Sequence, residues 1–338
     1  MKDAPLYGSS DPLSLFSRFT PLERELVPLP SARGRVLAEA LVMVEQTRAC
    51  EAGTVAVCRP VAPGANLIHA GEDYAPGVLV LTQGRRLRPQ DLGVLAGLGI
   101  TTVPVYRQPK VAILSTGDEL VAADRMPLPG QIRDINSTTL AAQVEEAGGL
   151  PLAYGICGDD IKDILAVCTK ALAEADVLLL SGGSSRGRRD CTLHVFKTIP
   201  QTELLTHGVS VPPGKASILA RQGNKALFGL PGPVASAIMT FYLFVRPLLR
   251  QYAGLGATLG LQTIRAITEQ HIPSSIGREE HVRVRLIAQK NGALPLATPL
   301  YGKSGLLNPL VRADGLLPIS REIEGLPQGA EVTILVFP

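Results

Sequence analysis

The chain has 338 residues, 46% of them hydrophobic and 19% charged, with a formal net charge of +3. Single cores stop growing near roughly 250 to 300 residues, so two or three domains are expected, and the composition excludes a disordered chain. The small positive surplus without a long basic run argues against nucleic acid. The longest apolar stretch, near Val234 to Val245, is too short for a membrane span, so a cytoplasmic protein is expected.

The first hundred residues carry the weakest pattern. TPLERELVPLPSARGRVLAEAL reads as one or two short helices, PGANLIHAGEDYAPG is rich in Pro and Gly, and LRPQDLGVLAGLGI reads as a helix with Pro89 in its first turn. Residues 1–108 therefore read as an extended, loosely cored region. A segment of that kind completes its burial against a second copy, which predicts a homodimer.

Residues 109–255 have a sharper rhythm. KVAIL is a strand that ends in the polar turn STGDE, and INSTTLAAQVEEAGG is a helix with Asn136 or Ser137 as cap and Gly148 as stop. LPLAYGI is a second strand, and DDIKDILAVCTKALAEA is a helix opened by Asp159 or Asp160, with Ile161, Ile164, Leu165, Cys168 and Leu172 on one stripe. DVLLLSGG is a third strand, apolar throughout, as a strand covered on both faces should be. CTLHVFKTI, ALFGLPG and an apolar helix from about Val234 to Leu249 complete an α/β domain with a mostly parallel sheet. From 256 to 338 the runs QTIRAI, HVRVRL and AEVTILVF are short and β-rich, predicting a small all-β barrel or sandwich.

Five cysteines, odd in number and without a CxxC pair, argue for reduced thiols and against a cysteine zinc site. The chemistry is expected at the carboxyl edge of the parallel sheet, where ligands meet backbone N–H groups and helix N-termini. Loops Ser115–Glu119, Gly158–Asp160, Ser181–Asp190 and Gly229–Pro233 leave that edge. Gly182 and Gly183 permit close backbone approach of a phosphate or a planar ring, and Arg186, Arg188 and Arg189 would add charge-assisted contacts to an anion. Asp118, Glu119, Asp159, Asp160 and Asp190 beside such an anion suggest a Mg²⁺ ion between them. The plainer readings stand beside these: Asp159, Asp160 and Asp118 as helix caps, and the arginines as a solvated loop.

VAILSTGDEL, GQIRDINS, LLLSGG with Gly187 and Asp190, PPGK and FGLPG resemble, in order and spacing, the molybdopterin molybdenumtransferase family, which includes the gephyrin E domain. The resemblance extends through MVEQT and AGEDYAPG upstream and into the β tail. It implies a homodimeric enzyme of molybdenum cofactor biosynthesis. Such an enzyme takes adenylated molybdopterin, hydrolyses the adenylyl group with Mg²⁺ and inserts molybdate at the dithiolene. Matched by motif, it implies Asp73, Glu119 and Asp190 as catalytic residues and Asp159, Asp160 and Asp190 as metal ligands. Ser115, Thr116, Gly117, Asp118, Ser181, Gly182, Gly183, Ser185, Arg186, Arg188, Lys215, Pro231 and Gly232 are then implied as the substrate-binding set.

The chain also departs from the family pattern. LAEAL runs almost directly into VMVEQT, where the family carries a β-rich domain with a DNSAMDGYA-like stretch; Arg186 and Arg188 replace an apolar residue and an acid; and Pro212 stands where a lysine is common. One wall of the expected cleft is missing, so a partner protein could supply it. The alternatives are a noncatalytic molybdopterin-binding or storage protein and a molybdopterin adenylyltransferase.

Overall fold

The computed structural model describes residues 22–28, 31, 41–42, 73–182, 191–208 and 217–338. They divide into two compact units, one of residues 109–251 with 256–338 and one of residues 22–108 with 252–255.

The smaller unit contains β1 (Arg24–Pro28), β2 (Leu41–Val42), β3 (Leu79–Leu81), α1 (Pro89–Gly97) and β4 (Thr102–Tyr106). β1 corrects the sequence reading, which expected helix in this stretch. RELVP pairs antiparallel with β4, from Arg24 opposite Tyr106 to Pro28 opposite Thr102. The helix-forming Leu-Glu-Arg-Glu-Leu run is bracketed by Pro21 and Pro28, and ladder pairing with a β-rich partner outweighs so short a propensity. The unit is also better cored than expected, since Leu81, Leu87, Leu95, Val103 and Val105 form a buried cluster. α1 begins at Pro89 as predicted. Asp91 accepts the Arg88 backbone N–H at 2.9 Å and is gripped by the Arg85 guanidinium at 2.6 Å. Burial alone would push this carboxyl up, but the hydrogen bonds from Arg85 and Arg88 outweigh it and hold Asp91 well below the usual carboxylate range.

The larger unit opens with β5 (Lys110–Thr116), β6 (Leu120–Val121), β7 (Ile132–Arg133), α2 (Asn136–Glu146), β8 (Leu150–Cys157), α3 (Ile161–Glu174) and β9 (Val177–Ser181). α4 (Cys191–Thr198), β10 (Thr202–His207), β11 (Ile218–Gln222), β12 (Lys225–Leu230), α5 (Val234–Thr240) and α6 (Arg246–Tyr252) follow. Six strands form one sheet in the order β10-β11-β12-β9-β5-β8, and β12, β9, β5 and β8 are mutually parallel. β9 lies inside the sheet and every residue of it is buried, which is why its sequence is apolar without alternation. On one side Ile164, Cys168, Ala171 and Leu172 of α3 pack with Val195 and Phe196 of α4 against Leu114, Leu178 and Leu180. Burial pushes the Cys168 thiol up to about 12, so this cysteine behaves as a small core residue.

The apolar helix expected after Val234 is interrupted. Between α5 and α6 the five residues Phe241–Val245 form a π-helical stretch, all of them buried. Arg246 then pairs with Glu146 and donates from Nε to the Leu259 carbonyl at 2.8 Å. Among the described residues no helix is long and apolar enough to cross a membrane.

The chain ends in β13 (Gln262–Thr268), β14 (Ile272–Pro273), β15 (Glu280–Ile287), β16 (Leu296–Pro299), the single turn α7 (Asn308–Val311), β17 (Gly315–Ile319), β18 (Gly325–Leu326) and β19 (Glu331–Val336). β13, β16, β15, β17 and β19 close into a barrel around Ala266, Val284, Ala297, Leu317, Ile319 and Ile334. The fold is thus the expected α/β arrangement with a parallel core and a terminal β-barrel. Ala235 of α5 donates its backbone N–H to the Ser304 carbonyl at 2.9 Å, tying the barrel to the helix that follows β12.

Candidate functional site

Because β5, β8, β9 and β12 run the same way, their C-termini finish on one edge. Ser115 lies opposite Ser181, Thr116 opposite Cys157, and Leu230 opposite Ser181. The edge is closed by backbone: Gly117 N donates to the Cys157 carbonyl at 3.1 Å and Gly182 N to the Leu230 carbonyl at 3.2 Å. Both glycines are required by conformation, Gly117 with φ +152° and Gly182 with φ +96°. A Cβ on Gly182 would run into the Thr116 carbonyl oxygen and lie 3.0 Å from Thr116 Oγ1. A Cβ on Gly232 would lie 3.9 Å from Gly182 Cα, so the first residues after β9 and β12 are near neighbours. Thr192, in the first turn of α4, holds the Gly182 carbonyl through Oγ1 at 3.1 Å, and Pro231 beside Gly232 is buried.

The acids divide by what they already hold. Asp118 is exposed, yet its Oδ1 accepts the Asp159 backbone N–H at 3.1 Å, an approach that Gly158 permits by having no side chain. Asp160 is the cap of α3, accepting from Lys162 N at 2.7 Å and Asp163 N at 3.4 Å. Glu119 is exposed, and its carboxylate lies over Gly117, where a Cβ would come within 2.7 Å of Oε2. Burial first, then the charges of Asp163, Asp160 and Asp159, push the Cys157 thiol up, so it is not a thiolate nucleophile. Among the described residues no three His, Cys, Asp or Glu groups assemble into a metal site. Asp190, one of the three ligands the sequence suggested, lies outside those residues.

Gly183, Ser185, Arg186, Arg188, Arg189, Asp190 and Lys215 lie outside the described residues. Asp73 is described and exposed in the smaller unit.

The structure adds residues that the sequence reading missed. The start of α2 is organised by Asp134, not by Asn136 or Ser137 as expected: helix begins at Asn136, and Asp134 Oδ1 accepts the Ser137 backbone N–H at 3.1 Å. The buried Asp134 carboxylate also accepts from Ser115 Oγ at 3.0 Å and from Ser137 Oγ. Ser115 Oγ in turn lies 3.1 Å from Ser181 Oγ. One carboxylate thus fixes the ends of β5 and β9 and the first turn of α2. Asn136 reaches across to the fourth loop, with Nδ2 donating to the Gly232 carbonyl at 2.9 Å. The signal was present in GQIRDINS, but nothing local in that stretch says that its acid faces a serine nineteen residues earlier.

Residues 112–251, which carry this edge, match a family described as a probable molybdopterin binding domain. Residues 28–99 match the MoeA N-terminal region (domain I and II), and residues 265–337 the MoeA C-terminal region (domain IV). The molybdopterin molybdenumtransferase of Haemophilus influenzae is 31% identical over 299 residues, covering 88% of this chain and 74% of that protein. That of Bacillus subtilis is 31% identical over 325 residues, covering 93% and 75%. A crystal structure of the molybdopterin biosynthesis MoeA protein from Pyrococcus horikosii superposes with a TM-score of 0.80 at 26% identity and covers both chains in full. With identity at this level along most of its length and the glycine-bearing sheet edge inside the matched region, the chain belongs to the molybdopterin molybdenumtransferase family of molybdenum cofactor biosynthesis.

Proposed function

We propose that this chain binds adenylated molybdopterin at the edge formed by β5, β8, β9 and β12, cleaves the adenylyl group with release of AMP, and receives molybdate at the dithiolene. The observation that carries this reading is the meeting of Gly182 and Gly232. There two residues without side chains, one after β9 and one after β12, come close, within a region matching a probable molybdopterin binding domain. Such bare main chain lets a phosphate or a flat heterocycle approach N–H groups directly. Ser115 and Ser181 are buried, and their hydroxyls are engaged with each other and with Asp134. Their role in this reading is to hold the edge in shape. Glu119 is exposed on the β5 loop, and in this reading its carboxylate orients the water that attacks the adenylyl phosphorus. That step consumes one water, breaks the phosphoanhydride bond and leaves AMP and molybdopterin, each with its own phosphate, as products.

The test is AMP release from adenylated molybdopterin by purified protein in the presence of molybdate, with and without Mg²⁺. Turnover is expected in the unmodified protein. Glu119→Gln should reduce it by roughly 10² or more while molybdopterin affinity stays within a few-fold. Tight molybdopterin binding without AMP release would replace this reading with that of a noncatalytic carrier, which the missing segment between Ala40 and Met43 would favour.

A further inference from the structure

The side chain of Asn136 carries an uncommitted atom. It is 8% exposed, its Nδ2 donates to the Gly232 carbonyl at 2.9 Å, and its Oδ1 is buried with no donor. The orientation is fixed by chemistry: a carbonyl faces one end of the amide, so that end must be NH₂ and the other must be the acceptor. Buried acceptors are mostly paired with protein or ordered water, so one without a protein donor is open to a partner from outside the chain, water or ligand. This one lies beside Gly232, whose loop meets Gly182, at the start of α2, a helix of eleven residues.

The neighbouring hydroxyls have the same polarity. Asp134 takes the Ser115 proton on Oδ1 and the Ser137 proton on Oδ2. With those two protons spent, Ser181 must be the donor in its 3.1 Å contact with Ser115, and what Ser181 has left is lone pairs. Asn136 Oδ1 and Ser181 Oγ thus both have only acceptor capacity left. Phosphate and molybdate present mostly acceptors themselves and are poor complements to them. A planar heterocycle edge carrying N–H donors is a good one.

We infer that Asn136 is a specificity-determining residue whose Oδ1 accepts a hydrogen bond from an N–H edge of the substrate's heterocycle, the 2-amino pyrimidine edge of the pterin, with Gly232 locking the amide in the reading orientation. The inference rests on the proposed molybdopterin binding. The adenine of the adenylyl group is the other source of an N–H edge, and the probes separate the two.

The experiment titrates 6-hydroxymethylpterin, AMP and molybdate by calorimetry against the unmodified protein, Asn136→Leu and Asn136→Asp. Leucine and aspartate both lose the donor to Gly232, and only aspartate keeps an acceptor. The expected result is at least a tenfold loss of pterin affinity with unchanged AMP and molybdate affinity in Asn136→Leu, and in Asn136→Asp, which keeps an acceptor but sets a carboxylate oxygen against the Gly232 carbonyl, a smaller loss of pterin affinity than in Asn136→Leu. Equal losses for all three probes would reduce Asn136 to a tether for the Gly232 loop. Loss of AMP with pterin retained would transfer the contact to adenine and overturn the assignment. If Asn136→Leu does not fold, the unmodified protein is titrated with the probe dimethylated at its 2-amino nitrogen. A tenfold weaker affinity supports the contact, and equal affinity overturns it. Failure of the unmodified protein to bind any pterin would overturn the proposed function and this inference together, whereas binding that is insensitive to both substitutions overturns the inference alone.

Discussion

Gly182→Ala is the substitution whose cost follows most directly from the geometry. An alanine would have to hold φ +96°, a region that side chains avoid at a cost of about 1–3 kcal/mol. Its Cβ would sit 3.0 Å from Thr116 Oγ1 and nearer still to the Thr116 carbonyl. The end of β5 must then move by several tenths of an ångström, and overpacking of that kind costs about 1–3 kcal/mol. Alanine returns about 0.4–1 kcal/mol by stiffening the unfolded chain. The net is a loss of roughly 3 kcal/mol, or about 6 °C or more in Tm at the 2–4 °C per kcal/mol expected for chains of this size class. Gly223→Ala is the matched control, with φ +61° and nothing within 4 Å of the added Cβ, so only the left-handed strain of about 1–2 kcal/mol applies. Differential scanning calorimetry of both variants separates packing from conformation, and molybdopterin titration of Gly182→Ala should show at least a tenfold loss. A Gly182→Ala protein melting within 1 °C of Gly223→Ala would refute the claim that main chain packs against main chain at this edge.

The helix cap and the barrel histidine give two further tests. Asp160→Ala should cost about 1 kcal/mol by uncapping α3, and Asp160→Asn should recover most of it, read from urea midpoints; equal losses would assign the carboxylate to something other than the cap. In the barrel, burial holds His281 down at about 4 against its ordinary 6.5, so the native imidazole is neutral while the unfolded one titrates normally. The stability this contributes is complete above pH 6.5 and is lost as pH falls from 6.5 towards 4, by a total on the order of 3 kcal/mol. Glu279, whose Oε1 lies 3.4 Å from His281 Nε2, is pushed up by burial and works with the opposite sign. The reading is therefore a difference: His281→Gln should flatten the fall in urea midpoint between pH 7 and pH 5 relative to the unmodified protein, and identical slopes would remove His281 as the cause.

What was legible in the sequence is what local chemistry dictates. VLLL reads as a fully covered strand because none of its side chains gains from facing water, and Asp160 is among the expected caps because an acid before an apolar stripe satisfies a helix's first N–H groups. The convergence of the four loops followed from strand direction alone once the strands were parallel. β1 was not legible, since RELVP carries helix formers and its strand character comes from β4, some eighty residues away. Nor was the Asp134 network, whose bonds join residues 19 and 66 apart through positions that read individually as turn and cap residues. The π-helical stretch in Phe241–Val245 has no counterpart in the apolar pattern, which continues through it unchanged.

The acids that make the sequence look catalytic are in part already employed. Asp118 holds the loop after β8, Asp160 starts α3, and Asp134 binds β5 to α2. A carboxylate oxygen accepting a backbone N–H can still meet a ligand with its second oxygen, but removing it disturbs the frame as well as the chemistry. Loss of activity on mutating Asp118, Asp160 or Asp134 is therefore ambiguous by construction. The atoms free of such duty are better probes. Glu119 is exposed on its loop, and Asn136 Oδ1 is held in place by a bond that its own Nδ2 makes. Substitutions at these two positions leave the carboxylate tethers of the edge intact, and because Asn136 also holds the Gly232 carbonyl, it is a selective loss of one ligand there, not a general one, that reports on recognition.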